Sequence, residues 1–272
     1  MPAQADLAAA ERYLDLAPRT GAIAREVGPF TLFVSNGPWP YYARPRLGSD
    51  APITSSALLE LRTACATADV PLAIEWVDTL RPSFAAVATD AGLTVVFRPL
   101  LVLDHAHFIR PSASRTRILA PDDKLLPTAR AVADLGFASP GTDIGVAGPS
   151  ERDALAGSFP AEVLQHMQDR AAAGLTVTAA AFDHGGGDQG IVAVGMHQPL
   201  GDTSEIVGVA TLPSIRRRGW AAAIAGALVE HAFSVGVTRV MLTADSDDVA
   251  RIYRRLGFRQ VGRCCEAAPP ES

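Results

Sequence analysis

The chain has 272 residues, of which 48% are hydrophobic and 19% charged, and its formal net charge is −5. This length suits two domains of ordinary size, and a chain without a basic excess argues against a nucleic-acid-binding protein. The longest apolar runs, such as 100–103, are far too short to span a membrane. The N-terminal segment carries acidic residues and lacks the basic start of a secretion signal, so we expect a cytoplasmic protein that meets no membrane.

The first half of the sequence alternates between helical and strand-like segments. Residues 5–17 carry apolar side chains at helical spacing, whereas 36–50 is rich in proline and glycine and is predicted to be a loop. In chain order the predicted elements are a helix over 5–17, a strand over 30–34, a helix beginning at Ser55 or Ser56, a strand over 71–77, a helix over 82–91 with proline in its first turn, and a long apolar strand over 93–103 with a bend at Pro99.

The second half has a similar mixture of elements. The predicted order is a strand over 116–119, a helix over 122–135, one or two helices over 151–173 interrupted near Pro160, strands over 175–182 and 191–196 around a glycine-rich turn at 184–190, a strand over 205–212, a helix over 218–235, a strand over 240–244, a helix over 248–256 and a strand over 259–262. Such a mixture is typical of the α/β or α+β class.

Two segments of the chain resemble each other. Residues 70–95 and 237–261 each read as a strand, an aspartate, a helix, a glycine followed by an apolar residue, and a second strand. The aspartates are Asp78 and Asp245. Strand–helix–strand units are common, so the similarity is weak alone, but it favours two related modules in tandem.

The most specific segment lies between the strand that ends at Leu212 and an alanine-rich helix. Three consecutive arginines at 216–218 precede Gly219. The amide groups and the positive dipole end of a helix N-terminus attract anions, and the guanidinium groups add charge and forked donors. Gly219 and Ala221 have small side chains, which lets a phosphate approach the backbone. The segment therefore predicts a phosphate-binding loop.

This loop resembles the pyrophosphate loop of the GNAT superfamily, Arg/Gln-x-x-Gly-x-Gly/Ala, at 216–221. Upstream, 205–211 is similar to the family's splayed strand, and downstream Tyr253 begins a segment similar to its closing Tyr-x-x-x-Gly-Phe. The resemblance covers about 116–263. No Gly-Lys-Ser/Thr follows the loop, and no GxGxxG leads from a strand into a helix, which argues against P-loop and Rossmann sites. The implied fold is α/β (α+β), with a mixed, mostly antiparallel sheet flanked by helices.

The resemblance implies acetyl-coenzyme A as co-substrate and a set of residues that hold it. The strand at 205–211 would pair with the pantetheine arm, and a backbone N–H near Thr211 would polarise the acetyl carbonyl. Ser246 stands where the family often has an asparagine that contacts the pantetheine. Serine is shorter than asparagine but can still form a hydrogen bond. The implied cofactor-binding residues are Val209, Ala210, Thr211, Arg216, Arg217, Arg218, Gly219, Trp220, Ala221 and Ser246.

The resemblance also implies two catalytic residues. A lysine-like amine has a pKa of about 10.4, so only about one molecule in 10^3 is neutral at pH 7, and a general base is useful. Glu205 stands where some members of the family carry a base, although water relayed to another carboxylate is an alternative. Tyr253 stands where many members carry the general acid that protonates the thiolate, and its other reading is an aromatic that fills space.

The predicted domains are a degenerate GNAT-like module at 1–105, a linker at 106–115 and a catalytic module at 116–272. The first module contains no Arg-x-x-Gly-x-Gly/Ala, so it is not expected to bind coenzyme A. It would complete the sheet, wall the acceptor cleft or mediate pairing. The protein is predicted to be a monomer or a homodimer.

The predicted reaction moves an acetyl group to a primary amine of a small molecule, such as a metabolite or an aminated antibiotic, through a ternary complex. The alternatives are a non-catalytic acyl-coenzyme A-binding or regulatory protein, a protein lysine or N-terminal acetyltransferase, and transfer of a longer acyl chain. Fold does not choose among acceptors.

No metal site is predicted. The three cysteines have no metal-ligand spacing, and an odd count without a secretion signal fits a reducing compartment. Asp104, His105 and His107 form a short cluster without a distant third ligand, which is typical of a surface segment.

Overall fold

The computed structural model describes residues 2–112, 115–183 and 190–270. The chain forms two units. The first consists of 1–101, 243–247 and 260–272, and the second of 102–242 and 248–259. Most of the predicted turn at 184–190 lies outside the described residues.

The helices and strands of the described chain follow the mixed order that the sequence predicts. They are α1 (Pro2–Leu16), β1 (Ala22–Val27), β2 (Phe30–Ser35), β3 (Ala43–Pro45), α2 (Ser55–Thr67), β4 (Ile74–Val77), α3 (Phe84–Asp90), β5 (Thr94–Asp104), β6 (Thr116–Ile118), α4 (Leu126–Phe137), α5 (Pro149–Ala156), α6 (Ala161–Ala172), β7 (Val177–Phe182), β8 (Ile191–Leu200), β9 (Thr203–Thr211), α7 (Trp220–Ser234), β10 (Arg239–Thr243), α8 (Asp247–Arg254) and β11 (Arg259–Ala268).

The sheet of the first unit has the strand order β1-β2-β3-β4-β11-β5. β11 pairs antiparallel with β4, with Cys264 opposite Val77 and Ala267 opposite Ile74. Because of this pairing, the last strand of the chain belongs to the first unit, whereas the predicted catalytic module ran without interruption to 272. A buried cluster that includes Phe30, Leu61, Trp76 and Phe84 fills the core of this unit.

The sequence missed two strands of the first unit, β1 and β3. β1 exposes Ile23 and buries only its first residue, so it lacks a clear alternation. β3 has three residues and lies inside the segment predicted as a loop. Pro99 does not interrupt β5, and its carbonyl accepts a hydrogen bond from the amide of Ala244.

The sheet of the second unit has the order β10-β9-β8-β7-β6, in which only β9 and β10 run parallel. α4 and α7 cover its two faces. A Cβ added to Gly136 of α4 would lie 2.8 Å from the side chain of Ala210, and a Cβ added to Gly195 would lie 2.6 Å from that of Ile224 in α7. Both helices therefore pack closely on the sheet. Val194 pairs with Ala210, and its neighbour Gly195 faces the opposite side of the sheet.

The segment predicted as a linker is packed against the second unit along its described part. The amide of Ile109 donates to the carbonyl of Leu256 at 2.9 Å, and the Phe108 ring lies 6.1 Å from that of Phe233. A Cβ on Gly226 of α7 would meet Pro111 at 2.4 Å. Residues 105–111 are therefore part of the second unit.

A buried polar chain links α7 to the beginning of β9. His197 of β8 is fully buried, its Nδ1 lies 2.8 Å from the Ser204 hydroxyl, and its Nε2 lies 2.9 Å from Nδ1 of His231. Burial, with a smaller contribution from the neighbouring His231, lowers the pKa of His197 to about 4. His197 therefore stays neutral in the folded protein at pH values where a solvent-exposed histidine is charged.

The lowered pKa of His197 predicts that the folded protein becomes less stable as the pH falls. The unfolded chain binds a proton below about pH 6.5, whereas the folded chain does not until about pH 4. The stabilisation is therefore present above pH 6.5 and is lost as the pH falls towards 4. When the pH falls from 7 to 5, the loss of this stabilisation is expected to lower the free energy of unfolding by about 2 kcal/mol. Urea denaturation at the two pH values measures the change. His197→Gln should remove this increment, and an equal loss in both proteins would contradict the assignment.

Candidate functional site

Strand β9 separates from β10 part of the way along its length. The two strands pair over three residues, and the last of these pairs joins Glu205 to Met241. On its other side β9 stays paired with β8 as far as Thr211 opposite Ala193. The part of β9 after Glu205 therefore presents a backbone edge beyond its pairing with β10, and such an edge can receive an extended ligand.

A bulge in β9 lies in the diverging part of the strand. The register with β8 shifts between the pairs Val194–Ala210 and Met196–Val207, which leaves one extra residue on β9. Gly208 has φ +64°, and a Cβ there would meet the Met196 methyl at 2.6 Å. A bulge bends its strand and increases its twist, so this one explains the divergence from β10. Sequence reasoning missed Gly208, although a glycine inside a strand is the signal for a bulge.

The loop between β9 and α7 turns through two left-handed residues. A short 3₁₀ turn at Pro213–Ile215 leads to Arg217 with φ +66° and Gly219 with φ +83°. Gly219 is the N-cap of α7, makes no side-chain cap and has open space around it. The amide groups of the first helical turn therefore lack a side-chain acceptor at the N-cap.

The three arginines of this loop have different surroundings. Arg216 donates to three backbone carbonyls, those of Gly136, Ser139 and Asp143. Arg217 and Arg218 have side chains that are 67% and 60% exposed.

The ion pairs of the two exposed arginines are long. Arg217 lies 3.4 Å from Asp143, and Arg218 lies 3.3 Å from Asp183. Exposed pairs at such distances contribute little, so a multiply charged anion can compete for both guanidinium groups. The donor set of amides and two exposed guanidinium groups suits a pyrophosphate.

Tyr253 lies on α8 and is 7% exposed. Its ring packs against Phe258 at 5.9 Å, and its carbonyl accepts hydrogen bonds from the amides of Leu256 and Phe258. Burial raises the pKa of Tyr253 far above its ordinary value, so the hydroxyl keeps its proton at any physiological pH.

Most of the residues singled out by sequence belong to one unit. The second unit contains Glu205, the strand residues 209–211, the loop at 216–221 and Tyr253. Glu205 is half-buried and has its own interaction partners. Ser246 belongs to the first unit and is exposed. The roles of these residues stay predictions.

Among the described residues no group of three His, Cys, Asp or Glu side chains is placed to hold a metal ion. Asp104 and His107 contact each other instead, with 2.6 Å between Oδ1 and Nδ1, and this hydrogen bond lowers the pKa of Asp104. No helix in the described ranges is both long and apolar enough to cross a membrane.

Residues 151–258 match the acetyltransferase (GNAT) family. No curated protein matches the chain. A GCN5-related N-acetyltransferase from Kribbella flavida has a similar structure, with a TM-score of 0.70, 22% identity, and coverage of 98% of this chain and 96% of that one.

Two further solved structures resemble the whole chain. A tandem GNAT protein from the clavulanic acid biosynthesis pathway has a TM-score of 0.54 and 15% identity, with coverage of 91% of this chain and 81% of that one. A GCN5-related N-acetyltransferase-like protein from Streptococcus suis has a TM-score of 0.52 and 13% identity, with coverage of 97% and 98%. At these identities the likeness concerns the fold, which agrees with a two-module GNAT architecture.

Proposed function

We propose that the chain, whose residues 151–258 match the acetyltransferase (GNAT) family, uses acetyl-coenzyme A to acetylate a primary amine of a small molecule through a ternary complex. The observation that supports this best is that pairing between β9 and β10 ends at Glu205, while β9 continues along β8 towards the loop at 216–221. A strand edge suits an extended pantetheine arm, and the helix N-terminus that follows suits the pyrophosphate.

We assign the contacts with coenzyme A as follows. The backbone of 209–211 would pair with the pantetheine arm, and the amides of Gly219, Trp220 and Ala221 would bind the pyrophosphate. Arg217 and Arg218 would add charge. Arg216 would contribute its backbone, because its side chain is engaged by three carbonyls.

Glu205 and Tyr253 would manage the protons of the reaction. The amine nitrogen attacks the thioester carbonyl carbon, the carbon–sulfur bond breaks, one amine proton passes to Glu205, and Tyr253 donates its proton to the sulfur. The charges formed on the two side chains are then cancelled by proton exchange through water. A backbone N–H near Thr211 would stabilise the oxyanion.

The 1–105 module contains no second copy of the loop, so we assign cofactor binding to 116–272 alone. We also propose a small amine rather than a peptide as the acceptor. Protein mass spectrometry after incubation with candidate proteins tests this preference, since acetylated lysines or N-termini would favour a protein acceptor.

The loop assignment predicts that acetyl-coenzyme A stabilises the protein. A ligand at about 100 times its Kd adds about 2.7 kcal/mol, a rise of roughly 5–10 °C in Tm for a chain of this size. The double variant Arg218→Glu, Gly219→Asp should lose this rise, because it places two negative charges at the anion site.

A matched control is Arg62→Glu, Gly48→Asp in the first unit. Arg62 is exposed, and Gly48 has φ +72° with open space around it, as Gly219 does. The control should keep the full shift. An absent shift in the wild-type protein would refute binding at this loop. A normal shift without thiol release across a broad amine panel would favour a non-catalytic binding protein.

A further inference from the structure

The α4–α5 connector, residues 138–148, has no helix or strand of its own and is mostly exposed. Its two large apolar side chains, Ile144 and Val146, are 64% and 96% exposed. Burial of apolar surface therefore does not fix its position, and polar contacts must do so.

Two backbone hydrogen bonds join the connector to the 3₁₀ turn that begins the β9–α7 loop. The amide of Gly145 donates to the carbonyl of Pro213 at 3.0 Å, and the amide of Ser214 donates to the carbonyl of Ala147 at 3.0 Å. The fit is close, since a Cβ on Gly145 would meet the Cβ of Pro213 at 2.9 Å. These bonds hold the second half of the connector.

The side chain of Arg216 holds the first half. One terminal nitrogen, Nη2, donates to Gly136 at 2.8 Å and to Ser139 at 2.7 Å, and Nη1 donates to Asp143 at 3.1 Å. All three acceptors are backbone carbonyls of the end of α4 and of the connector. A planar guanidinium group can donate to all three carbonyls at once, whereas a lysine ammonium group does not have this arrangement of donors.

We propose that Arg216 is a positioning residue whose side chain fastens the α4–α5 connector to the coenzyme A loop instead of binding phosphate. The proposal rests on the function proposed above, because it makes the loop and the connector move together when coenzyme A binds. Arg217 and Arg218, which are far more exposed, meet the pyrophosphate. When coenzyme A orders the loop at 216–221, the hydrogen bonds of Arg216 should also order the connector and slow hydrogen exchange of its amides.

Hydrogen exchange of the full chain tests this, with Arg216→Lys as the variant and Arg218→Lys as the control. Both substitutions replace a guanidinium group by an ammonium group of the same charge, but only Arg216 donates to the connector carbonyls, whereas Arg218 pairs with Asp183 outside the connector. In the absence of ligand, Arg216→Lys should raise exchange at the connector amides about tenfold or more, and Arg218→Lys should leave it within about twofold. Arg216→Gln serves as a second variant if the lysine protein does not fold.

Coenzyme A titration supplies the second readout. Coenzyme A should slow connector exchange in the wild-type protein and in Arg218→Lys but not in Arg216→Lys, whose Kd should change less than that of Arg218→Lys. Unchanged connector exchange together with a tenfold weaker Kd in Arg216→Lys would overturn the proposal and return this side chain to the phosphate. If the wild-type protein binds no coenzyme A, the proposed function fails, and exchange without ligand alone decides whether Arg216 fastens the connector.

Discussion

Replacing Gly257 with alanine is expected to lower the free energy of unfolding by about 4 kcal/mol. Gly257 has φ +97°, which alone costs a side-chain-bearing residue about 1–2 kcal/mol. A Cβ there would also lie 1.9 Å from the carbonyl oxygen of His107. The oxygen belongs to the backbone and cannot rotate away, so the segment must shift, and overpacking of this kind costs about 1–3 kcal/mol more.

Gly236→Ala is the matched control for this prediction. Gly236 has φ +92° in the same unit, but a Cβ there would have open space around it. This control should therefore lose only about 1–2 kcal/mol, the backbone part of the cost. Urea denaturation of both variants measures the difference. Equal losses would show that the contact with His107 is not a constraint.

Helices and strands with clear apolar periodicity could be predicted from the sequence. The helix predicted at 218–235 is α7 at Trp220–Ser234, and the helix predicted at 5–17 is α1 at Pro2–Leu16. The missed strands β1 and β3 are stabilised by pairing with β2 rather than by their own patterns. Local propensity carries no information about such partners.

The extent of the first unit depends on a contact between distant parts of the chain. Val77 pairs with Cys264 in a ladder that joins β4 to β11. The sequence similarity between 70–95 and 237–261 places an equivalent strand in each module, but it does not say which neighbour each strand will pair with. The order of strands in a sheet is a tertiary property, so the division of the C-terminal segment could not be predicted from periodicity.

The candidate site was predictable where backbone chemistry determines it. A strand followed by arginines, a glycine and a helix indicates an anion site because only local geometry is required. The surroundings of Arg216 were not predictable, since its acceptor Gly136 lies 80 residues away along the chain. The same holds for the bulge at Gly208, which depends on pairing with β8. Identical residue types in one motif can therefore have different roles.

Replacing Tyr253 with phenylalanine is expected to lower kcat about 10^3-fold with little loss of stability. The change removes the hydroxyl proposed to protonate the sulfur and keeps the ring that packs on Phe258. Burial raises the pKa of Tyr253, which would make it a poor donor to a thiolate in water. The same dry surroundings also disfavour the thiolate, so the two pKa values rise together and the transfer remains feasible.

Thiol release with the best amine acceptor, followed across pH, measures this effect. Because Tyr253 keeps its proton, kcat of the wild-type protein should show no loss of the acid as the pH rises to about 10. Tyr13→Phe, which also removes a buried tyrosine hydroxyl but lies in the first unit, should leave kcat unchanged. If Tyr253→Phe keeps more than about a third of the wild-type kcat, the tyrosine only fills space beneath the cofactor, and the thiolate must leave unprotonated or take its proton from water.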